Sequence, residues 1–417
     1  MKPAKIFVSL CAALAFILLP AAPARAQQPI GHVWIGTWAT SQQIPEPQHT
    51  LPPAALTNAT LRQIVHVSVG GNVIRIHLSN AFGRWPLLFS SVHVARAVAP
   101  GSSAIVPGTD RVVTFSGSPQ VIVPTGADYI SDPIHLSVKP LSNLAITFYF
   151  RNPPARETGH PGSRSTSYYL SGDHVSDPSL PTASKVNHWY QLSGVDVEAP
   201  TGAASIVALG DSITDGHATT TNGNNRWTDD LAARLQANPA TRDIGVLNEG
   251  IGGNHLLTDG LGANTLARFD RDVLAQPGVR WVIVFEGVND LGGLTIRGPV
   301  PAAAHQLLVH RIIAAYQQII QRAHEHGIRV IGATITPYQG NGYYHPGAAS
   351  LQDRNEINAW IRAPGHFDAV LDFAKAIRDP SNHERLNPIW DCGDHLHPNP
   401  TGYHILANSI PLSLFEH

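Results

Sequence analysis

The chain has 417 residues, 43% of them hydrophobic and 14% charged, with a formal net charge of -2. Such a length points to more than one globular unit. The near-neutral balance excludes the electrostatic footprint of a nucleic-acid binder or of a protein held to an anionic membrane.

At the N-terminus Lys2 and Lys5 precede an apolar run over residues 6–19 that stops at Pro20. Ala24-Arg25-Ala26 then supplies the small-x-small pattern of a signal-peptidase site. The expectation is a signal peptide over residues 1–26, cleaved after Ala26, and a secreted or periplasmic protein beginning at Gln27. The run is too short for a spanning helix, so the mature chain is expected to carry no membrane anchor. Cys11 leaves with the signal and Cys392 remains alone. No internal disulfide is then possible, and the apolar core must hold the fold. Cys392 itself reads as a small packed residue rather than a reactive thiol.

Residues 27–198 are expected to form a β-sandwich accessory domain of the jelly-roll kind. "LRQIVHVSVGGNVIRIHLSN" is two alternating runs about Gly70-Gly71, and "VVTF", "QVIVP" and "NLAITFYF" continue the period of two between Pro, Gly and Ser clusters. Trp38 and Trp85 are read as core fillers. Residues 152–181 are rich in Pro, Gly and Ser, and "VEAPTGA" near Ala199 has the composition of a linker.

From residue 199 to the end the texture changes. "ASIVALG", "IGVLNEG", "RWVIVFEG", "IRVIGATI" and "DAVLDF" are short apolar runs, with helical spacing between them over residues 227–236, 302–326 and 352–361. That alternation predicts a parallel sheet flanked by helices on both faces, an α/β fold. In such a sheet the working residues gather where the strands end. Those ends carry Gly210-Asp211-Ser212, residues 248–254, residues 286–290 and the late loop "DCGDHLHPNP".

These residue types suit acyl transfer. A serine attacks only once a base takes its proton, and the base needs an orienting partner. Ser212, His397 and Asp394 can fill those roles. The oxyanion of a tetrahedral intermediate needs donors, which Asn289 and the turn Gly250-Ile251-Gly252-Gly253 can supply. Each piece also has a plainer meaning. "GDS" is a common turn, Asn289-Asp290 a helix cap, and "GIGG" a tight turn that lacks the spacing of a dinucleotide fingerprint. Asp391, His395 and His397 lack a second cluster that would complete a metal site, so neither metal nor other cofactor is expected.

Taken together, the four blocks resemble the SGNH or GDSL hydrolases. "GDSIT" stands at residues 210–214, "NEGIGGN" at 248–254, "GVND" at 287–290 and "DHLHP" at 394–398. The resemblance implies a flavodoxin-like three-layer fold, Ser212 as nucleophile, and Asp394 and His397 completing a triad. It also implies an oxyanion hole of Ser212, Gly253 and Asn289. Preferring Gly253 over Gly252 rests on counting five residues from Asn248. The whole chain further resembles two-domain bacterial acylhydrolases and acetylesterases found near xylan-degrading genes, through "GTWATSQQ", "LRQIVHVSVGG" and the closing "DHLHPNPTGY". That likeness implies an acylated oligo- or polysaccharide as substrate. A lipase, lysophospholipase or arylesterase would use the same chemistry. A carbohydrate-binding protein with a vestigial site is the alternative of another class, against which all five site residues stand intact. An α/β-hydrolase would need G-x-S-x-G around Ser212, which is missing.

Residues 217–227, 254–262 and 336–350 are expected around Ser212 and are rich in Gly, Asn, Thr, Gln and Tyr. Asp215, Trp227, His255 and Tyr343 are the expected substrate contacts, with Tyr338 and Tyr344 as further flat faces for a sugar ring. Leu256, Leu257 and Leu261 make at most a small apolar patch, so a short acyl group, acetyl first, is expected.

Overall fold

The five apolar runs after residue 203 become five parallel strands: Ala204–Gly210, Ile244–Gly250, Val279–Phe285, Arg329–Ala333 and Ala369–Leu371. The computed structural model describes Met1 and residues 31–416, so the signal-peptide expectation lies outside the described residues. The strands lie in the order second, first, third, fourth, fifth. Their middles are mostly apolar because both faces are covered. Val207, Leu209, Val282 and Val284 point into one core with Ile312 and Ile319 of the helix Ala302–Glu325. Ile206, Ala208, Trp281 and Ile283 point into the other, with Leu231 of the helix Trp227–Ala237 and Leu406 of the helix Pro400–Asn408. Strand order reverses between the first and third strands, and a doubly covered sheet opens its crevice at that point.

Ahead of this sheet the chain is β-rich. A six-stranded antiparallel sheet is centred on Ala59–Val67 and Ser142–Phe150, and a five-stranded one on Leu192–Pro200 and Gly71–Ser79. Their facing side chains, among them Leu61, Val65, Phe148, Ile74, Ile76 and Val195, share one core. Gly70-Gly71 is not a hairpin turn: the strands before and after it belong to different sheets. The crossing is tight enough to require glycine, since a Cβ on Gly70 would lie 2.4 Å from Val138 O and one on Gly71 2.3 Å from the Val197 side chain. "VEAPTGA" is mostly not a linker. Its first four residues finish the strand Leu192–Pro200, and Pro200, whose missing N–H a terminal strand position tolerates, pairs with His32. Trp38 packs edge-on against Trp189, whereas Trp85 is 70% exposed and fills no core.

Polar contacts join the β-rich region to the parallel sheet. Thr40 bridges Asn248 in the edge strand Ile244–Gly250, Val246 N–H donates to Ser68 Oγ at 3.0 Å, and Ser205 Oγ donates to Gly36 O at 3.1 Å. The exposed edge that a five-stranded sheet would otherwise present is thereby covered. Residues 32–416 belong to one compact unit. Among the described residues no helix is long and apolar enough to cross a membrane.

Candidate active site

The first strand delivers Ser212 to the crevice. Asp211 caps the short helix Ser212–Asp215 by accepting the Ile213 N–H at 2.9 Å, which sets Ser212 at the helix start. Gly210 must lack a side chain here, since a Cβ would meet Thr214 Oγ1 at 2.1 Å and Phe285 O at 2.8 Å. Ser212 Oγ lies 2.7 Å from His397 Nε2, and His397 Nδ1 lies 2.6 Å from Asp394 Oδ2. Asp394 Oδ1 also accepts the N–H groups of Leu396 and His397, at 2.9 and 2.8 Å, so the loop shapes itself around its own carboxylate. Burial pushes the Asp394 carboxyl up, but the hydrogen bonds from the His397 ring and backbone outweigh it and hold the group well below the usual range. With that carboxylate accepting, His397 Nδ1 carries the proton and Nε2 presents a lone pair to the Ser212 hydroxyl.

Asn289 reaches the same cleft from the helix Val288–Thr295, which follows Gly287 in a left-handed conformation (φ 116°). Its Nδ2 donates to Asn254 O at 2.7 Å, and Tyr344 Oη donates to its Oδ1 at 2.6 Å. The phenol thus decides which way the amide faces, and one Nδ2 proton is left over. Gly252 and Gly253 both line the cleft, a space of about 630 Å³ shared with Ser212, Asn289 and His397. Among the described residues the backbone N–H groups of Ser212, Gly252 and Gly253 donate to no protein acceptor. The arrangement can pass a proton from a hydroxyl to an imidazole beside several unspent donors, which is what ester cleavage demands.

Residues 208–405 match the family described as GDSL-like Lipase/Acylhydrolase. This part of the chain belongs to that family. The GDSL-domain protein is accordingly a hydrolase of the group whose blocks it carries. Among solved structures it is similar to a lipolytic protein of the G-D-S-L family from Desulfitobacterium hafniense, with 25% identity and a TM-score of 0.36 over 49% of this chain and 97% of that one. It is similar to the acetyl xylan esterase AlAXEase, with 21% identity and a TM-score of 0.37 over 49% of this chain and 96% of that one. A third similar structure is an acetyl xylan esterase variant from Geobacillus stearothermophilus, at 22% identity and a TM-score of 0.36 over 49% and 92% of the two chains. No curated protein sequence matches the chain.

Beneath the GDSL cleft lies a polar network that sequence reasoning missed. Arg268, fully buried, donates to Gly210 O at 3.0 Å, Glu249 O at 2.6 Å, Asn254 Oδ1 at 3.0 Å and Asp272 Oδ2 at 2.9 Å. It therefore ties the ends of the first two strands to the turn that carries Gly252 and Gly253. Ser41, from the β-rich region, lies 2.8 Å from Glu249 Oε2 and 2.9 Å from Asp272 Oδ2. A hydroxyl has one proton to give, so Ser41 shares it between the two carboxyls. Burial, reinforced by the Asp272 charge, raises the Glu249 carboxyl well above its usual range. Ser41 falls within "GTWATSQQ", quoted above for its likeness; Arg268 is a single arginine in "TLARF", with no pattern to mark it.

The expected substrate contacts divide. Tyr343 is 66% exposed on the cleft wall, and Leu261 also lines it. Trp227 does not: it is 0% exposed and packs edge-on against Phe373, because the helix it opens turns that face to the sheet. Tyr338 and Leu256 are likewise buried in the core. His255 does not line the cleft; its Nδ1 lies 3.0 Å from where a Gly260 Cβ would be. Asp215 lies under the serine turn with Oδ1 2.9 Å from His160 Nε2, facing the β-rich region. His217, which opens one of the loops expected around Ser212, sets its ring against His397 with centroids 4.1 Å apart and planes tilted by 37°. Ligand atoms of His217, Asp394 and His397 lie within 4.8 Å of one another, but the two His397 nitrogens are already engaged by Ser212 and Asp394. Cys392 is exposed rather than packed, yet desolvation and the nearby Asp394 and Asp391 carboxylates push its thiol up to about 11, which disfavours a reactive thiolate.

Proposed function

We propose that the protein is an exported serine esterase that removes short acyl groups, acetyl first, from carbohydrate esters. Ser212 Oγ attacks the ester carbonyl while His397 Nε2 takes its proton, and Asp394 stabilises the imidazolium. The oxyanion rests on the Ser212 and Gly253 N–H groups and on Asn289 Nδ2. His397 returns the proton to the departing alcohol, and water then attacks the acyl-enzyme with His397 again as base. The jelly-roll-like sandwich ahead of the GDSL domain serves the catalytic half, and export follows from the signal sequence over residues 1–26.

The observation that carries this reading is the unbroken relay of 2.7 and 2.6 Å from Ser212 through His397 to Asp394. A short acyl group is favoured because the cleft wall is made of glycines, Asn341, Tyr343 and a single leucine pair, Leu261 and Leu396. Each buried methylene needs apolar contact to gain its roughly 0.8 kcal/mol. The test is kcat/KM on p-nitrophenyl acetate, butyrate, octanoate and palmitate, with acetate release from acetylated xylo-oligosaccharides. A steep fall beyond butyrate is expected, and Ser212→Ala should lose at least about a thousandfold in kcat. Rates that climb through octanoate with no acetate released would turn the assignment to a lipase.

A further inference from the structure

A second pocket of about 350 Å³ adjoins the catalytic cleft and shares His217, Gly252 and Leu261 with it. Most of its remaining wall comes from the β-rich region, including Glu46, His49, Arg164 and His188. The two spaces meet at His217, whose ring lies against that of His397 with centroids 4.1 Å apart, so the pocket opens on the imidazole's flank of Ser212. A departing alcohol must lie on that flank, because its oxygen collects the proton from His397.

The wall is built for hydrogen bonding. Arg164 reaches His217 Nδ1 only at 3.4 Å, and its Nε is buried with no acceptor among the described residues. Asp215 spends Oδ1 on His160, and its Oδ2 lies 3.7 Å from where a Gly252 Cβ would stand, at the pocket floor. Glu46 Oε2 lies 3.1 Å from His49 Nδ1, and the His49 and His188 rings meet at 4.8 Å. His188 Nδ1 donates to Pro161 O at 2.7 Å, which leaves Nε2 as an acceptor in the neutral ring. Burial lowers the His188 pKa and keeps it neutral.

We infer that this pocket is the subsite for the alcohol half of the ester and takes a neutral, hydroxyl-rich ring. Hydroxyls donate and accept at once, so they can meet carboxylates, a guanidinium and imidazoles in one space. An acyl chain would find few apolar walls here, and an acidic ring would meet Glu46 and Asp215 as well as Arg164. The β-rich region then sets specificity for the GDSL domain. This inference rests on the esterase reading above.

The experiment compares Arg164→Gln and Glu46→Gln with wild type, thermal melts confirming the fold, on acetylated xylo-oligosaccharides and on p-nitrophenyl acetate. For each variant, kcat/KM on the saccharide ester is expected to fall at least about tenfold further than on the aryl ester, mainly through KM. Equal losses on both substrates, or no selective loss in either variant, overturn the inference. So does a wild type that turns over the aryl acetate yet frees no acetate from the saccharides, a result that leaves the triad chemistry standing. If instead Ser212→Ala matched wild type on the aryl acetate, the esterase reading itself would fall.

Discussion

Replacing Tyr344 by Phe removes one oxygen from the cleft wall and keeps the ring. That oxygen donates to Asn289 Oδ1 at 2.6 Å, while Asn289 Nδ2 donates to Asn254 O at 2.7 Å. Both side chains are buried, so without the phenol the amide oxygen loses its donor where water enters poorly. A buried acceptor left unpaired costs about 1–3 kcal/mol. Part of that is recovered as the amide swings toward a new partner, and the swing misaims the leftover Nδ2 proton. If about half the cost falls on the transition state, about 1 kcal/mol at the middle of that range, kcat drops roughly fivefold at nearly constant KM, since about 1.36 kcal/mol is a factor of ten. Asn289→Ala removes the donor itself and should lose about a hundredfold to a thousandfold. Steady-state hydrolysis of p-nitrophenyl acetate, with thermal melts to confirm folding, separates the two. A folded Tyr344→Phe with kcat within about twofold of wild type would show that the phenol does not aim the amide. A loss as deep as that of Asn289→Ala would place Tyr344 on the reacting atoms instead.

Three further outcomes are expected. Asp394→Asn should be less stable than wild type at neutral pH. The native carboxyl is held below its ordinary 3.8, so its contribution is complete above that value and lost as pH falls; urea melts should show the gap shrinking in acid, and a widening gap contradicts it. His217 is pushed down from 6.5 to about 4 by burial and by the His397 and Arg164 charges. The unfolded chain therefore binds its proton more readily, wild-type stability declines as pH falls between those values, and His217→Asn should flatten the slope. Activity should survive dialysis against EDTA, because both His397 nitrogens serve Ser212 and Asp394; loss restored by one divalent ion would argue for a ligand set.

By itself the amino-acid sequence determined what local patterning can determine. The five apolar runs had to be strands covered on both faces, since they show no polar alternation, and the polar residues just past them had to share one sheet edge. That is why Ser212, Asn289 and His397 could be named together before any distance was known. Tertiary packing decided the rest. Trp227 and Trp85 differ in burial because of which helix face or loop carries them, and neither tryptophan's neighbours in sequence reveal it. Gly70-Gly71 reads as a turn between two alternating runs but carries the chain between sheets, where the Val138 backbone and the Val197 side chain, far along the chain, leave no room for a Cβ. Arg268 and Ser41 meet across 227 positions in a water-poor interior, where each must satisfy groups that the other region supplies. The second pocket, too, joins Glu46, Arg164 and His188 to Asp215 only because the β-rich region docks on the edge of the parallel sheet. Periodicity reports which face of an element is buried; it is silent on what lies opposite, and the orientation of the Asn289 amide by Tyr344 depends on that alone.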